Sequence, residues 1–586
     1  MEKFRKNCYN LINLKNKGVF GVNKKIIFSF IFLLGVFSCT PLSKGLSMKS
    51  EVYNADNVEF YYDLTYKKDG ETQYERQIWE QAYDILDKAQ DFFLMDIFVF
   101  NDYVGKGVKE KLQPLPIAEE FAQKILEKRE KDPNVEIYLI LDESNTFYGA
   151  FDNKTHKKLE QAGVKIGYVD LTKLRDPMLI YSTPWRLFIQ PFGNPKNRGK
   201  LKNPIYEGTD KITIRSLLRA LNAKANHRKL IMNENTAMLT SANPHAEGSK
   251  HSNVAFKFSS PIIKEIYEAE KPVAQITKKD GSLKKKLPNK DFSKIPVSKN
   301  EKIKLQYFTN DVTVKDISQE LKNAQFGEKV IIAQFFLSDR GIINDIRKAA
   351  RRGVKFEIIL NNSTAGFPNK AAAGELMKYA RKHNYDINVK FYNKGEEMYH
   401  VKMLSILKKD YLITYGGSSN FTRRNMRNFN LENELKIISA YDQKISKDIL
   451  DYYDRLWTNR DGDFTLKAYT KNVEINNDRV EKNKTISKIE VKTLPNKREY
   501  VQNKEDLNLY GGDVKVYYDD GSTIVVSMTD SNIHISGFNN KALGNNVLTL
   551  EDGNQTTNFS VLIKEDKLYD DTIYASDDEK IKNKNS

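Results

Sequence analysis

Two stretches of this chain repeat one arrangement of chemically competent residues. They are Asn226-His227-Arg228-Lys229 running to Thr240-Ser241-Ala242-Asn243, and Tyr399-His400-Val401-Lys402 running to Gly417-Ser418-Ser419-Asn420. In each, the alternation of side chains along a strand puts the His and the Lys two residues on upon one face, and a turn leads into small residues ending in Asn. Together the copies can bring two imidazoles, two ammonium groups and two amides to one pocket. That set suits covalent chemistry on a phosphate diester, whose charged oxygens repel a nucleophile until cations and amides neutralise them. One neutral imidazole attacks phosphorus, and the other, protonated, passes its proton to the leaving alcohol. The sequence has no His/Cys/Asp cluster with metal-site spacing, and this chemistry requires neither metal nor cofactor.

The elements around these stretches recur as well. Residues 58–274 alternate strands and helices, with apolar strands at Phe92–Phe100, Val135–Leu141 and Val164–Val169, and amphipathic segments at 71–89 and 117–131. Continuous apolar strands between helices predict a mostly parallel sheet covered on both faces. From Thr172 to Gly208 the periodicity is broken by five prolines among Trp185, Phe188 and Phe192, which predicts a long loop beside the site. Residues 301–461 repeat the programme, with Asp339 and Gly353 bounding a helix. Residues 275–300, rich in lysine, read as a solvated linker or surface excursion. The expected architecture is therefore two α/β halves facing each other across a pseudo-twofold axis, each giving one half of a site.

The pairing of His227-x-Lys229 with Ser241 and Asn243, and of His400-x-Lys402 with Ser418 and Asn420, resembles the phospholipase D superfamily. NHRK and SSNFTRRNMRNFNLENELKI are especially similar to membrane-lipid members such as cardiolipin synthases. The resemblance implies a duplicated α-β-α sandwich with mixed sheets. It implies His227 as nucleophile and His400 as acid and base, with the reverse assignment open, and Lys229, Lys402, Asn243 and Asn420 around the phosphate oxygens. A carboxylate behind each imidazole is expected: Glu432, with Glu434 next, in the second half, whereas Ser252 stands at that place in the first. Glu434, His251 and Arg423 are candidates for substrate contact. Glu234 occupies the acidic position of the first copy; in the second, Leu407 replaces it and Asp410 follows three residues later.

Composition and the chain ends set the context. The formal charge is +17 and the pI about 9.2, which favours anionic partners. A basic stretch to Lys25, an apolar run Ile26–Phe37 and then Ser38-Cys39 resemble a bacterial lipoprotein signal, giving residues 1–38 as signal peptide, Cys39 as the lipidated residue and 39–57 as a tether. Beyond the linker 462–481, alternating apolar residues and Asp-Gly turns predict an all-β module at 482–567 that resembles bacterial Ig-like repeats, with a polar tail at 568–586. The expectation is thus an exported, membrane-anchored phosphodiesterase or phosphatidyltransferase acting on phospholipid. The alternatives are an exported nuclease of the same superfamily and a surface-binding protein whose β module does the work.

Overall fold

A computed structural model describes residues 44–105, 113–362, 367–393, 397–467 and 485–565, the last with short breaks. The described residues up to Glu320, with Ala333–Ile342 and Asn393–Phe464, form one compact unit; Leu321–Ile332, Ile343–Tyr392 and the described residues from Thr465 onward form another. The second sequence half is therefore shared between the units. The proposed signal peptide, Cys39 and the polar tail lie outside the described residues.

In the first unit β1 (Val58–Lys68), β2 (Glu71–Glu75), α1 (Ile78–Asp87), β3 (Phe92–Ile97), α2 (Ile117–Lys131), β4 (Glu136–Leu141) and β5 (Lys165–Tyr168) follow in order. After α3 (Leu179–Phe188) and α4 (Ile214–Ala220) come β6 (Lys229–Asn233), β7 (Ala237–Thr240), β8 (Asn253–Phe258) and α5 (Ile262–Gln275). These strands make one sheet in the order β2-β1-β8-β7-β6-β3-β4-β5. Every side chain of β3 is buried, because helices cover both faces of the central strands. Parallel pairing is confined to β3-β4-β5; the other neighbours are antiparallel, so the sheet is mixed. The apolar run predicted as one strand to Phe100 leaves the sheet at Ile97, which frees Phe98 for another task. Helix α1 turns Ile78, Trp79, Ala82, Ile85 and Leu86 inward, and the Asp63 carboxylate accepts the Gln77 and Ile78 N–H groups at its start.

The same unit holds β9 (Ile303–Thr309), most of α6 (Asp311–Asn323), and, farther along, β13 (Lys402–Leu407), β14 (Tyr411–Gly417), β15 (Asn433–Ala440) and α9 (Lys444–Thr458). These strands run antiparallel in the order β9-β15-β14-β13. The second unit contains most of β10 (Lys329–Gln334) and α7 (Arg340–Arg351), then β11 (Lys355–Leu360), α8 (Phe367–His383), β12 (Ile387–Tyr392) and a short strand Thr465–Lys467. Its C-terminal part pairs strands 486–493, 513–518 and 523–527 in one sheet and four strands from Glu499 to Lys564 in another. Val514, Val516, Leu548, Leu550 and Phe559 fill the core common to the two sheets. The hairpin turns fall at Gly521 and Gly553, both with positive φ, where the Asp-Gly pairs predicted them.

Two segments differ from the reading of the sequence. Part of 172–208 is the helix α3, with Pro184 inside it, rather than a continuous loop. The lysine-rich 275–300 segment is not simply solvated. Leu283, Leu287 and Ile295 are buried, and Lys290 bridges Asp91 and Glu136 at 2.7 and 2.8 Å. Apolar residues spaced through the lysines pin the segment down.

Candidate active site

The two His-x-Lys strands enter the first unit in the same way. His227 N donates to Leu431 O at 2.8 Å, and Leu431 N to Ala225 O at 3.0 Å; His400 N donates to Ser252 O at 2.8 Å, and Ser252 N to Met398 O at 3.0 Å. Each strand therefore begins by pairing with a segment from the other sequence half. The residue following that segment lies behind the imidazole. His227 Nδ1 is 2.9 Å from Glu432 Oε2, and His400 Nδ1 is 3.1 Å from Asn253 Oδ1.

Glu432 and Asn253 are equivalents. Ser418 Oγ donates to Glu432 Oε2 at 2.5 Å and Ser241 Oγ to Asn253 Oδ1 at 2.8 Å. Asn253 Nδ2 donates to His251 O at 3.1 Å, so its oxygen faces His400. Both imidazoles accordingly carry their proton on Nδ1 and keep Nε2 for chemistry. The residue opposite the carboxylate is thus Asn253, whereas the sequence pointed to Ser252, whose side chain instead accepts from Thr65 N at 3.1 Å. The serine-to-partner spacing is 12 residues in one half and 14 in the other, and that unequal loop hides the equivalence.

The lysines follow the same symmetry. Lys229 Nζ donates to His227 O at 3.0 Å and Lys402 Nζ to His400 O at 2.6 Å. Lys229 lies 5.4 Å from the Phe98 ring and Lys402 5.0 Å from the Phe335 ring, and the same rings lie 5.1 and 4.8 Å from His227 and His400. Phe98 and Phe335 are the residues that follow β3 and β10; the sequence showed them only as part of apolar runs. Each walls one histidine and one lysine from water while offering the cation a ring face.

Burial dominates the titration of these groups. It holds His227 down to about 4, with Lys229 and Lys402 also lowering it and Glu432 opposing. Burial and the charges of Lys402, Lys229, His251 and His227 put His400 well below the usual imidazole range. Lys229 is pushed down to about 7 by burial, against the pull of Glu432, Asp96 and Asp142. Lys402 is well below the usual ammonium range, through burial and then Lys229. Four basic groups thus crowd a buried place where a bound anion would restore protons.

The remaining predicted residues take varied places. Val99 N approaches Asn243 Oδ1 at 3.4 Å, leaving the amide's Nδ2 to donate, and Asn420 is buried at the matching position. Glu434 is buried beside Glu432, accepts from Ser419 N at 3.3 Å and is raised to about 8 by burial. It is a protonated supporting residue rather than a surface for substrate. His251 forms a 2.8 Å pair with Glu397, and its ring lies 6.1 Å from that of His400. Glu397 carried no signal in the sequence. Arg423 is exposed and stacks on Phe429 at 4.8 Å. Glu234 sits in the turn after β6 and accepts the N–H groups of Gln90, Asp91 and Phe92, a structural task away from the imidazoles.

Buried neighbours fix the first strand's entry. Asn226 donates its backbone N–H to Asp142 at 2.7 Å and its amide to Asp96 at 2.6 Å, and Arg228, fully buried, binds Glu270 at 2.9 Å and the carbonyls of Ala269 and Leu46. Burial and Glu270 hold the Asp96 carboxyl well above its usual range.

Residues 317–457 match the family described as cardiolipin synthase, PLD-like domain. No curated protein matches the chain. Similar solved structures include phosphatidylserine synthase from Haemophilus influenzae Rd KW20, 10% identical over 75% of this chain and 93% of that one, with a TM-score of 0.47. They also include the phospholipase D family member Nuc from Salmonella typhimurium, 18% identical over 28% of this chain and 97% of that one, with a TM-score of 0.22. NucT from Helicobacter pylori is 21% identical over 26% of this chain and 94% of that one, with a TM-score of 0.21.

Proposed function

We propose that this chain, whose residues 317–457 form a phospholipase D-like domain, is a phosphodiesterase or phosphatidyltransferase that acts on phospholipids outside the cytoplasm through a phosphohistidine. The observation that carries the reading is the crossed backing of the two imidazoles, by Glu432 behind His227 and by Asn253 behind His400.

The crossing also divides the labour. A phosphorylated imidazole is cationic, and Glu432 offers it a full negative charge, so His227 is the nucleophile. Asn253 offers His400 only a carbonyl dipole, which orients the ring yet leaves its proton easily given up. In the first step His227 Nε2 bonds to phosphorus, the bond from phosphorus to the leaving oxygen breaks, and His400 delivers its proton to that oxygen. In the second, His400 Nε2 takes a proton from water or an alcohol, whose oxygen displaces His227. Lys229, Lys402 and the amides of Asn243 and Asn420 hold the non-bridging oxygens in both steps.

Phosphatidylglycerol vesicles with added ethanol test this. A phosphatidylethanol product is expected from the chain as it stands and from neither His227→Ala nor His400→Ala, each reduced at least about 1,000-fold. Intact lipid together with rapid cleavage of single-stranded DNA would overturn the phospholipid reading and favour a nuclease.

A further inference from the structure

The segment between β5 and β6 is built inside out. Nine of the seventeen large apolar side chains that the described residues leave exposed fall between Met178 and Leu221. On α3 the outward residues are Ile180, Leu187 and Phe188, at spacings of seven and eight, which one helix face collects. The inward residues include Ser182 and Thr183, whose buried hydroxyls have no partner among the described residues. A helix folded only for its own stability would reverse that choice.

Neighbouring elements add further exposed apolar side chains. Phe192, next along the chain, is 71% exposed, against 81% for Ile180, 67% for Phe188 and 61% for Ile214. Arg215 donates to Phe192 O and Gly193 O at 2.5 and 3.0 Å, and Tyr181 to Leu218 O at 2.7 Å, so α3, Phe192 and the start of α4 are held side by side. Residues 171–222 contain ten lysines and arginines and three acidic residues. Arg198, Lys200, Lys202 and Lys211 are exposed in the same stretch, with Glu207 and Asp210 the exposed acidic residues among them. The segment is also tied to the site, because Arg175 stacks on Phe429 at 5.1 Å and Arg424 reaches Ala223 O, close to the Leu431-Glu432 stretch.

We infer that residues 178–221 are a docking surface for an anionic phospholipid bilayer, with Ile180, Phe188, Phe192 and Ile214 entering the acyl boundary and the basic rim meeting the headgroups. This rests on the phospholipid reading of the site and names how the substrate surface is met. Isolated apolar residues are ordinary on a protein surface; an apolar group joined by hydrogen bonds within a basic stretch matches a bilayer interface, which supplies hydrocarbon beneath negative charge.

Hydrogen–deuterium exchange on the full chain, with vesicles of phosphatidylglycerol and phosphatidylcholine, reads the contact directly. Exchange in peptides covering 178–221 is expected to slow at least threefold on these vesicles and to change little on phosphatidylcholine alone, with no change at 514–527 on either. In Ile180→Ser/Phe188→Ser/Phe192→Ser, hydrolysis of vesicle phosphatidylglycerol is expected to fall at least tenfold, and hydrolysis of the water-soluble bis(4-nitrophenyl) phosphate to stay within twofold, which also reports a folded site. Unchanged exchange at 178–221 on anionic vesicles overturns the docking surface, as does protection that appears without lipid and grows with protein concentration, which assigns the face to a second copy. Lipid turnover in detergent without vesicle protection removes this inference and leaves the proposed function standing; vesicle protection without any phospholipid turnover does the reverse.

Discussion

Glu432 and Glu434 are two residues apart and both buried, yet the fold gives them different electrical states. Glu432 receives Ser418 Oγ and His227 Nδ1 on one oxygen and the Asn425 amide on the other. Glu434 is raised to about 8 by burial and keeps its proton at neutral pH. Glu434→Gln therefore replaces one neutral group by another and is expected to cost under about 1 kcal/mol in urea unfolding, with turnover within a few-fold. Glu432→Gln removes the charge facing the intermediate, and a loss of at least about 100-fold in turnover is expected; equal effects of the two would contradict the assignment. A second outcome concerns anion binding. Lys229 stands at about 7 in the free site, and a bound anion raises it, so affinity is full below about pH 7 and falls as pH rises beyond it. Sulfate does not titrate there, and its dissociation constant by calorimetry is expected to rise by up to about tenfold per pH unit above 7.5, less steeply in Lys229→Met. At this scale the imidazoles and ammonium groups could be read from the chain because a spacing of two residues at the entry to a strand fixes their relation. Asn253, Phe98 and Phe335 could not, since their roles arise from pairing between segments far apart in the chain.

Strand β14 ends where the space for side chains runs out. A Cβ on Gly417 would lie 2.3 Å from Asn433 O, and one on Gly416 would lie 2.1 Å from the Phe256 ring. Backbone cannot yield as a ring edge can, so Gly417→Ala is expected to destabilise by about 1–3 kcal/mol in denaturant unfolding. Ser418 and Asn420 follow directly, and turnover is expected to fall further than stability alone explains. The strands and amphipathic helices of each half were visible in the alternation and in the 3.6-residue spacing. Helix α3 was not, because Pro177, Pro184 and Pro191 break the pattern and because its apolar face points outward, against the rule by which periodicity is read. The partial burial of 275–300 is hidden in the sequence for the opposite reason, as its few apolar anchors are diluted by lysine.

Over the whole chain, the net positive charge, most of which lies beyond residue 38, and the proposed anchor would act together. The first would attract the protein to anionic surfaces over a range of about 8 Å in physiological salt, and covalent lipid at Cys39 would keep it there. Cys39→Ser is expected to move the protein from the membrane pellet to the soluble fraction in 1 M salt; retention would show that residues 26–37 themselves hold it. The C-terminal hairpins were legible from Asp-Gly turns, which act locally, while the partition of the second half between two compact units was not, since compactness depends on contacts that no window of sequence contains.

The exchange of partners between the two halves has one further consequence. His227 borrows its carboxylate from residue 432, and His400 its amide from residue 253. Severing the backbone near residue 290 would yield two fragments, each holding a histidine and the other fragment's support. Reconstitution by mixing would then be second order in protein, and no excess of one piece could substitute for the missing one.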